Sequence, residues 1–221
     1  MHVVIIPSWY SNDENNVLGS FFREQAKALS EAGINVTIAY NEIVPLYKYK
    51  NFKMIFKNKI VRKSEHGLDT YRYRDYNYYF HSNARFLFFA KRLEKLIKKI
   101  KIEKGKIDLF HFHSCFWAGM CAEYIKSKFK IPYIITEHTG ISSSKYIKSK
   151  YMKKIKSAYD NSSVLIAVSN SLKNELKLIS NNEKLYVIHN FLDGKIFKPI
   201  DNLKSCGNVF KFFSLAFLVD G

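Results

Sequence analysis

Histidines at the ends of two predicted strands are the residues of this chain best suited to chemistry. His111 and His113 alternate within an apolar run, so the pleat of a strand places both on the same side. His138 follows the next apolar run and has Glu137 beside it. An imidazole changes its charge near neutral pH and can donate or accept hydrogen bonds. We therefore predict a functional role for His138 together with Glu137.

The same histidines could form a metal site, but the pattern is weak. Alternate residues of one strand plus one residue of the next lack the spacing of recognised metal-ligand motifs. We expect His111 to be a hydrogen-bonded core histidine and predict no bound metal. The three cysteines, Cys115, Cys121 and Cys206, also lack a metal or redox spacing, so we expect reduced thiols in the cytoplasm.

The loop after the first apolar run argues against several nucleotide-dependent classes. Val3–Ile6 is followed by the long polar loop Ser8–Ser20, which holds the single glycine Gly19 and no G-x-G-x-x-G fingerprint. The chain also has no G-x-x-x-x-G-K-[ST] segment and no G-x-S-x-G elbow. These absences disfavour a NAD-dependent enzyme, a P-loop NTPase and an elbow-type serine hydrolase.

The candidate residues need a scaffold that brings strand ends to one edge, and the hydrophobic pattern predicts one. Apolar runs alternate with segments of helical period, which favours an α/β fold with a Rossmann-like, doubly wound parallel sheet. Ligands of such sheets bind beyond the carboxyl ends of the strands. The predicted strands are Val3–Ile6, Ile34–Tyr40, Ile107–Phe112, Ile131–Thr136, Val164–Val168 and Leu185–His189. The predicted helices are Phe21–Ala32, Arg85–Lys104, Trp117–Lys128, Lys145–Ala158 and a helix to Ile179 that Ser169-Asn170-Ser171 can cap.

A basic and aromatic segment interrupts the alternation. We predict residues 41–84 to be an insertion with a short strand at Leu68–Tyr73. The chain carries 36 Lys and Arg against 19 Asp and Glu, and Val44–Lys63 contains seven cations and no acid. An anionic membrane surface suits this pattern, a solvated lysine-rich face also explains it, and nucleic acid lacks motif support. The predicted membrane contacts are Lys48, Lys50, Lys53 and Lys57.

Five short motifs stand at predicted strand ends, in order over residues 2–199. They are Ile6–Tyr10 with Gly19–Gln25, Asp108–His113 with Gly119, Ile131–His138, Val168–Ser171, and Val187–Asp193 with Phe197 and Pro199. In this combination they resemble the N-terminal domain of bacterial family 4 glycosyltransferases. Two positions depart from the family pattern: His189 stands where proline is usual, and Asn161-Ser162 stands where Ala-Asp is usual.

The resemblance implies a GT-B fold, in which two Rossmann-like domains face each other across a cleft. Residues 1–200 would form the N-terminal, acceptor-side domain, and residues 201–221 the linker and first strand of a donor domain that is absent. It also implies a retaining, metal-independent transfer of a sugar from a nucleotide-sugar donor to a surface polysaccharide or lipid-linked acceptor, without a cofactor. Because the family binds its donor mainly through the second domain, we expect this chain to be inactive alone.

Specific residues receive roles from the same resemblance. His138 would bond a hydroxyl of the transferred sugar, and Glu137 would orient His138 or contact the acceptor. The substrate-binding residues that it implies are Gly19, Ser20, His113, Ser169 and Asn190.

Two other functions remain open from the sequence: a non-catalytic module that binds acceptor or membrane, and a sugar-nucleotide epimerase of GT-B type. The S-W-Y opening and the T-E-H segment favour a transferase by analogy. No apolar run approaches the roughly eighteen residues of a membrane span, and the N-terminus lacks a signal-peptide pattern. We expect a cytoplasmic protein that can attach to the inner face of the cell membrane, with no nucleic-acid partner.

Overall fold

The computed structural model describes residues 1–11, 17–44, 59–76, 85–141 and 147–191, together with residues 194 and 198. By its internal contacts the chain divides into one unit of Met1–Phe191 and a second of Leu192–Gly221. Every element below belongs to the first unit. The four predicted membrane contacts, Lys48, Lys50, Lys53 and Lys57, lie outside the described residues.

Eight strands form one sheet in the order β3-β4-β2-β1-β5-β6-β7-β8. All neighbouring pairs are parallel except β3 and β4, which are antiparallel. The chain builds outward from β1 to one side and then returns to β5 on the other side, so the strand order reverses between β1 and β5. The strands are β1 (His2–Pro7), β2 (Asn35–Val44), β3 (Ile60–Glu65), β4 (Leu68–Tyr76), β5 (Leu109–His113), β6 (Tyr133–Glu137), β7 (Val164–Ala167) and β8 (Leu185–Val187).

Helices cover the two faces unequally. One face packs against α1 through Val3, Ile5 and Ile38, and the other packs against the remaining helices through Val4, Ile6 and a larger cluster. Helices on both faces of a mainly parallel sheet confirm the predicted doubly wound α/β class. The helices are α1 (Ser20–Glu31), α2 (Arg85–Lys104), α3 (Ala122–Phe129), α4 (Met152–Asp160) and α5 (Asn170–Ile179). Within the described ranges no helix has the length and apolarity that crossing a bilayer requires.

The short strand predicted at Leu68–Tyr73 is present and lies within β4, but the prediction of an insertion over residues 41–84 was wrong for its other described parts. β2 continues to Val44, β4 pairs in parallel with β2, and β3 adds an antiparallel edge strand. His66 and Gly67 both have positive φ, of 53° and 81°, which is the geometry of a two-residue hairpin turn. β3 escaped recognition because it is an exposed, charged edge strand. Arg72 of β4 forms ion pairs with Glu65 of β3 and with Glu42 of β2, so it links the hairpin to the rest of the sheet.

The segments that follow β5 and β6 begin their helices later than predicted. A short 3₁₀ turn at Gly119–Cys121 precedes α3, and another at Ser149–Tyr151 precedes α4. The amides of Trp117 and Ala118 donate instead to Ser8 Oγ, at 3.1 and 3.0 Å. These residues therefore form a loop over the carboxyl edge of the sheet, where a ligand would bind. α2, by contrast, spans the predicted residues without change.

Candidate functional site

The carboxyl ends of β1, β5, β6 and β7 lie side by side. The parallel register pairs Pro7 with His113, His113 with Thr136, and Glu137 with Ala167. The residues that leave these strands are consequently neighbours at one edge, next to the point where the strand order reverses. That is the position at which open α/β sheets bind their ligands.

Three histidine rings form a column on the face of the sheet that α1 covers. The ring centroids of His111 and His113 are 4.2 Å apart, and those of His113 and His138 are 5.3 Å apart. His111 Nε2 lies 2.8 Å from Thr136 Oγ1, so this histidine has the hydrogen-bonded core position expected for it. The Phe22 ring of α1 packs against both His113 and His138 and covers these two histidines.

His113 and His138 are joined by a hydrogen bond that couples their tautomers. His113 Nδ1 and His138 Nε2 are 3.1 Å apart, and one of the two nitrogens must carry the proton while the other accepts it. Neither His113 Nε2 nor His138 Nδ1 makes a hydrogen bond of standard geometry with the described residues. If His113 donates, His138 keeps a donor at Nδ1; if His138 donates, its Nδ1 is an acceptor. The pair can therefore offer either polarity without a net charge.

Burial keeps this column neutral. It lowers the pKa of His111 to about 4 and, reinforced by the neighbouring histidines, lowers the pKa of His113 well below its ordinary value. Burial likewise lowers the pKa of His138 to about 3, with His111 acting in the same direction and the Asn190 side chain partly opposing it. A neutral imidazole is suited to bonding a hydroxyl, which is itself both donor and acceptor.

Glu137 points to the opposite face of the sheet from His138, because adjacent residues of a strand alternate. Its Oε1 accepts from the amides of His138 and Thr139, at 2.9 and 3.1 Å. Its Oε2 accepts from the Cys115 amide and the Tyr159 hydroxyl, both at 2.7 Å. Burial raises the pKa of this carboxyl, and the four hydrogen bonds oppose that shift. With its lone pairs occupied, Glu137 positions the loops after β5 and β6 and the backbone of His138.

Gly19 begins α1 in a conformation that favours glycine. Its φ is 69°, and a methyl group there would lie 3.0 Å from the carbonyl oxygen of Trp9 and 3.2 Å from Cα of Tyr10. The Ser20 amide donates to the carbonyl of Val17 across the same turn. This tight start places the aromatic residues of the first helical turn against His113 and His138.

The remaining predicted residues contribute differently. Ser169 is the N-cap of α5 among the three residues predicted to cap it, and its Oγ accepts from the Leu172 amide at 3.1 Å. Asn190 is exposed, and its side chain acts to raise the pKa of His138 against the effect of burial. His189 Nδ1 lies 2.9 Å from the carbonyl oxygen of Val168. The structure thus brings His113 and His138 into contact, while the Ser169 side chain is engaged in its own helix.

A pocket of about 360 Å³ lies on the Glu137 side of the same strand ends. Apart from Glu137, the residues that line it were assigned no role from the sequence. The S-W-Y segment directly after β1 could have indicated the pocket. Its Ser8 is hydrogen-bonded to the loop after β5, and both Ser8 and Trp9 line the pocket. The described lining residues are Ser8, Trp9, Ser114, Phe116, Trp117, Glu137, Thr139 and Ile147. Over the described residues, no group of three or more His, Cys, Asp or Glu side chains is arranged to hold a metal ion.

Comparisons with known proteins agree with this architecture. A search of curated sequences finds no match. Among solved structures, the N-terminal domain of Candida albicans trehalose-6-phosphate phosphatase superposes with a TM-score of 0.58 at 8% identity, covering 88% of this chain and 49% of that one. Anabaena Alr3699/HepE in complex with UDP gives 0.55 at 12% identity, covering 89% and 46%. The UDP-GlcNAc 2-epimerase of Methanocaldococcus jannaschii gives 0.50 at 16% identity, covering 86% and 46%.

These structural likenesses, at such low identity, establish the fold: a Rossmann-like α/β domain that corresponds to the N-terminal half of a GT-B fold. The chain spans about half the length of the structures that it matches. The model of one sequence family, Glycosyltransferase Family 4, matches residues 18–195, which is well over half of the chain and includes most of the strand ends described above. The chain therefore belongs to Glycosyltransferase Family 4.

Proposed function

We propose that this chain supplies the acceptor-side domain of a retaining, metal-independent glycosyltransferase. The reaction would move a sugar from a nucleotide-sugar donor to a saccharide or lipid-linked acceptor of a surface polysaccharide. Family membership supports the reaction class. The Anabaena HepE protein, which shares the fold, has a structure in complex with UDP and glucose. Because the chain spans about half of such neighbours, the complete reaction is proposed for a protein of two such domains.

The neutral, coupled pair of His113 and His138 is the observation that carries the proposal. A sugar hydroxyl needs a partner that can accept from it or donate to it, and the two tautomers of the pair provide both. Since burial holds both rings neutral at physiological pH, no strong ion pair would tie His138 to a donor phosphate. Packing against Phe21 and Phe22 holds the His138 ring in place before substrate arrives, and such preorganisation is a main source of catalytic rate.

Glu137 would act in this scheme as a positioning residue. Its carboxylate binds the amides of His138 and Thr139, so it sets the direction in which the chain leaves β6. Gly19 and Ser20 would shape the loop next to the substrates, and Asn190 would contact them from beside His138. Ser169 would contribute through the amino-terminal end of α5, where unpaired backbone amides favour anionic groups.

The test is turnover of nucleotide sugars by the wild type and by His138→Ala. The chain, and the complete product of its gene where that is longer, would be assayed for release of nucleoside diphosphate in the presence of a lipid-linked saccharide acceptor. We expect His138→Ala to lower kcat on the order of 10²-fold or more with an unchanged circular dichroism spectrum. His66→Asn, in the exposed turn between β3 and β4, is the matched control. Near-wild-type turnover by a folded His138→Ala protein would remove His138 from the mechanism.

The epimerase and the non-catalytic module remain the competing functions. The M. jannaschii epimerase shares the fold, but a likeness at 16% identity does not show which reaction this chain takes part in. An epimerase would convert a nucleotide sugar without acceptor, whereas the proposed transferase needs one. Product analysis with and without acceptor therefore separates these functions, and a protein that binds acceptor without turnover would be a binding module.

The membrane proposal rests on the charge of the sequence. We propose that Lys48, Lys50, Lys53 and Lys57, together with neighbouring aromatic residues, attach a cytoplasmic protein to the anionic inner face of the cell membrane. Co-sedimentation with phosphatidylglycerol vesicles should fall when these four lysines become glutamine. Lys91, Lys95, Lys98 and Lys101 are exposed on α2 and provide a matched four-lysine control. Equal loss in both variants would mean that net charge alone causes the attachment.

A further inference from the structure

The pocket on the Glu137 side of the strand ends has aromatic walls. Trp9, Phe116 and Trp117 line it together with Ile147. Its volume of about 360 Å³ falls in the range of small-molecule sites, which combine apolar walls with a few placed polar groups. Trp9 and Trp117 are the two tryptophans of the whole chain. Both indoles are half-buried, so each keeps part of its surface accessible.

Neighbouring rings fix both indoles. Trp117 is stacked on Phe89, with centroids 6.0 Å apart and planes at 20°, and the Arg85 guanidinium lies 5.0 Å from its ring. Trp9 packs against Phe22 at 5.2 Å. Rings that are held in place before binding lose little conformational entropy when a ligand stacks on them. The walls are therefore preorganised.

One buried hydroxyl in the pocket lacks a partner. Ser114 is 1% exposed, lines the pocket, and its Oγ makes no hydrogen bond with any described residue. Its backbone has a positive φ of 61°, which is uncommon for serine. An unsatisfied buried hydroxyl is costly unless a ligand or water completes its bond. Ser8 Oγ, in contrast, already donates to the Ser114 carbonyl at 2.8 Å.

The charges of the described lining residues disfavour an acidic ligand. Glu137 is the ionisable residue among the described lining residues, and its oxygens already accept four hydrogen bonds. No described lining residue carries a positive charge that could hold a phosphate or a carboxylate. A neutral ring with one apolar face and hydroxyls at its edge matches both the aromatic walls and the free hydroxyl. A neutral sugar has that form.

We propose that this pocket binds the terminal neutral sugar ring of the acceptor, stacked on Trp9 or Trp117 and hydrogen-bonded to Ser114 Oγ. The assignment of the ring to the acceptor rests on the proposed function. Glu137 and Thr139 line the pocket, and His138 between them points to the other face of the sheet. Acceptor ring and transferred sugar would thus lie on the two sides of the end of β6, separated by the backbone of one residue.

Intrinsic tryptophan fluorescence tests this directly, because the only two tryptophans of the sequence are in the pocket. The probes are the methyl glycosides of glucose, galactose, N-acetylglucosamine and rhamnose, titrated into the 221-residue chain, with UDP as a separate titration. We expect a saturable change with at least one glycoside, with a Kd in the millimolar range, and none with UDP. A change with UDP alone would assign the pocket to the nucleotide and overturn the proposal.

Matched variants locate the binding. Ser114→Ala should raise the Kd roughly three- to tenfold, since one hydrogen bond is lost, without lowering thermal stability, because that hydroxyl has no partner in the protein. Trp117→Phe should raise the Kd less than Trp117→Ala, whose effect should be about tenfold or more. Ser64→Ala, on the distant edge strand β3, is the serine control.

The proposal would be overturned if no glycoside gave a saturable change, or if Ser114→Ala bound the glycosides as the wild type does. Turnover by His138→Ala is a separate readout. If the proposed function were wrong, the turnover assay would show it while glycoside binding persisted. The failure of the proposed function and the failure of the pocket proposal are therefore distinguishable.

Discussion

Acidification should destabilise this domain through its buried histidine column. Burial lowers the pKa of His111 from 6.5 to about 4 and that of His138 from 6.5 to about 3. Between pH 7 and pH 5 the folded rings stay neutral while the unfolded chain takes up protons. Stability from these groups is therefore complete above pH 6.5 and is lost as the pH falls through the interval towards pH 4.

The magnitude follows from the linkage relation. A pH of 5 is about 1.5 units below the ordinary pKa of a histidine in the unfolded chain. For each buried histidine, this difference corresponds to about 2 kcal/mol of lost stability. His111 and His138 together should cost about 4 kcal/mol, and His113 shifts in the same direction. A loss of this size is a large part of the 5–15 kcal/mol that stabilises a typical domain.

The assay is urea unfolding, followed by far-UV circular dichroism at pH 7, 6 and 5. His111→Gln can keep a hydrogen bond to Thr136 and has no titrating ring, so its stability should fall about 2 kcal/mol less than that of the wild type between pH 7 and 5. Any constant cost of the substitution cancels, because the comparison is between slopes. Ser64→Ala, on the exposed edge strand β3, has no titrating group and should retain the wild-type slope. Parallel pH profiles for His111→Gln and the wild type would refute the reasoning.

Three further predictions concern the residues that position the site. Gly19→Ala should destabilise the domain by more than Gly33→Ala: both have positive φ, but only at Gly19 would the new methyl meet backbone, and the difference in urea midpoint measures that contact. Tyr159→Phe should cost about 1.5–3 kcal/mol, since it removes a hydrogen bond to the buried Glu137 carboxylate; an unchanged melting temperature would contradict this. Ser169→Ala should cost about 1 kcal/mol by removing the α5 cap, and Ser169→Asp should restore it.

Local patterns in the sequence were sufficient to predict much of the scaffold. α2 runs over Arg85–Lys104 as predicted, because twenty residues with one apolar stripe leave little doubt about the period. The histidines at the ends of β5 and β6 were placed correctly at one edge for a similar reason: parallel strands bring their carboxyl ends together. Short edge strands carry no such stripe. β3 pairs through its backbone and is exposed along most of its length, so its side chains gave no sign of it.

The chemistry of the site depended on tertiary contacts. The alternation of a strand predicts that Glu137 and His138 face opposite ways, but not that Tyr159 and Cys115, each 22 residues away, would occupy the Glu137 carboxylate. Likewise, Ser8 meets the amides of Trp117 and Ala118 across more than a hundred residues of chain. Hydrophobic period is a property of neighbouring residues and can be read from the sequence alone. Hydrogen-bond partners, the desolvation that keeps the histidines neutral, and the unpaired hydroxyl of Ser114 arise only where distant segments exclude water from one another.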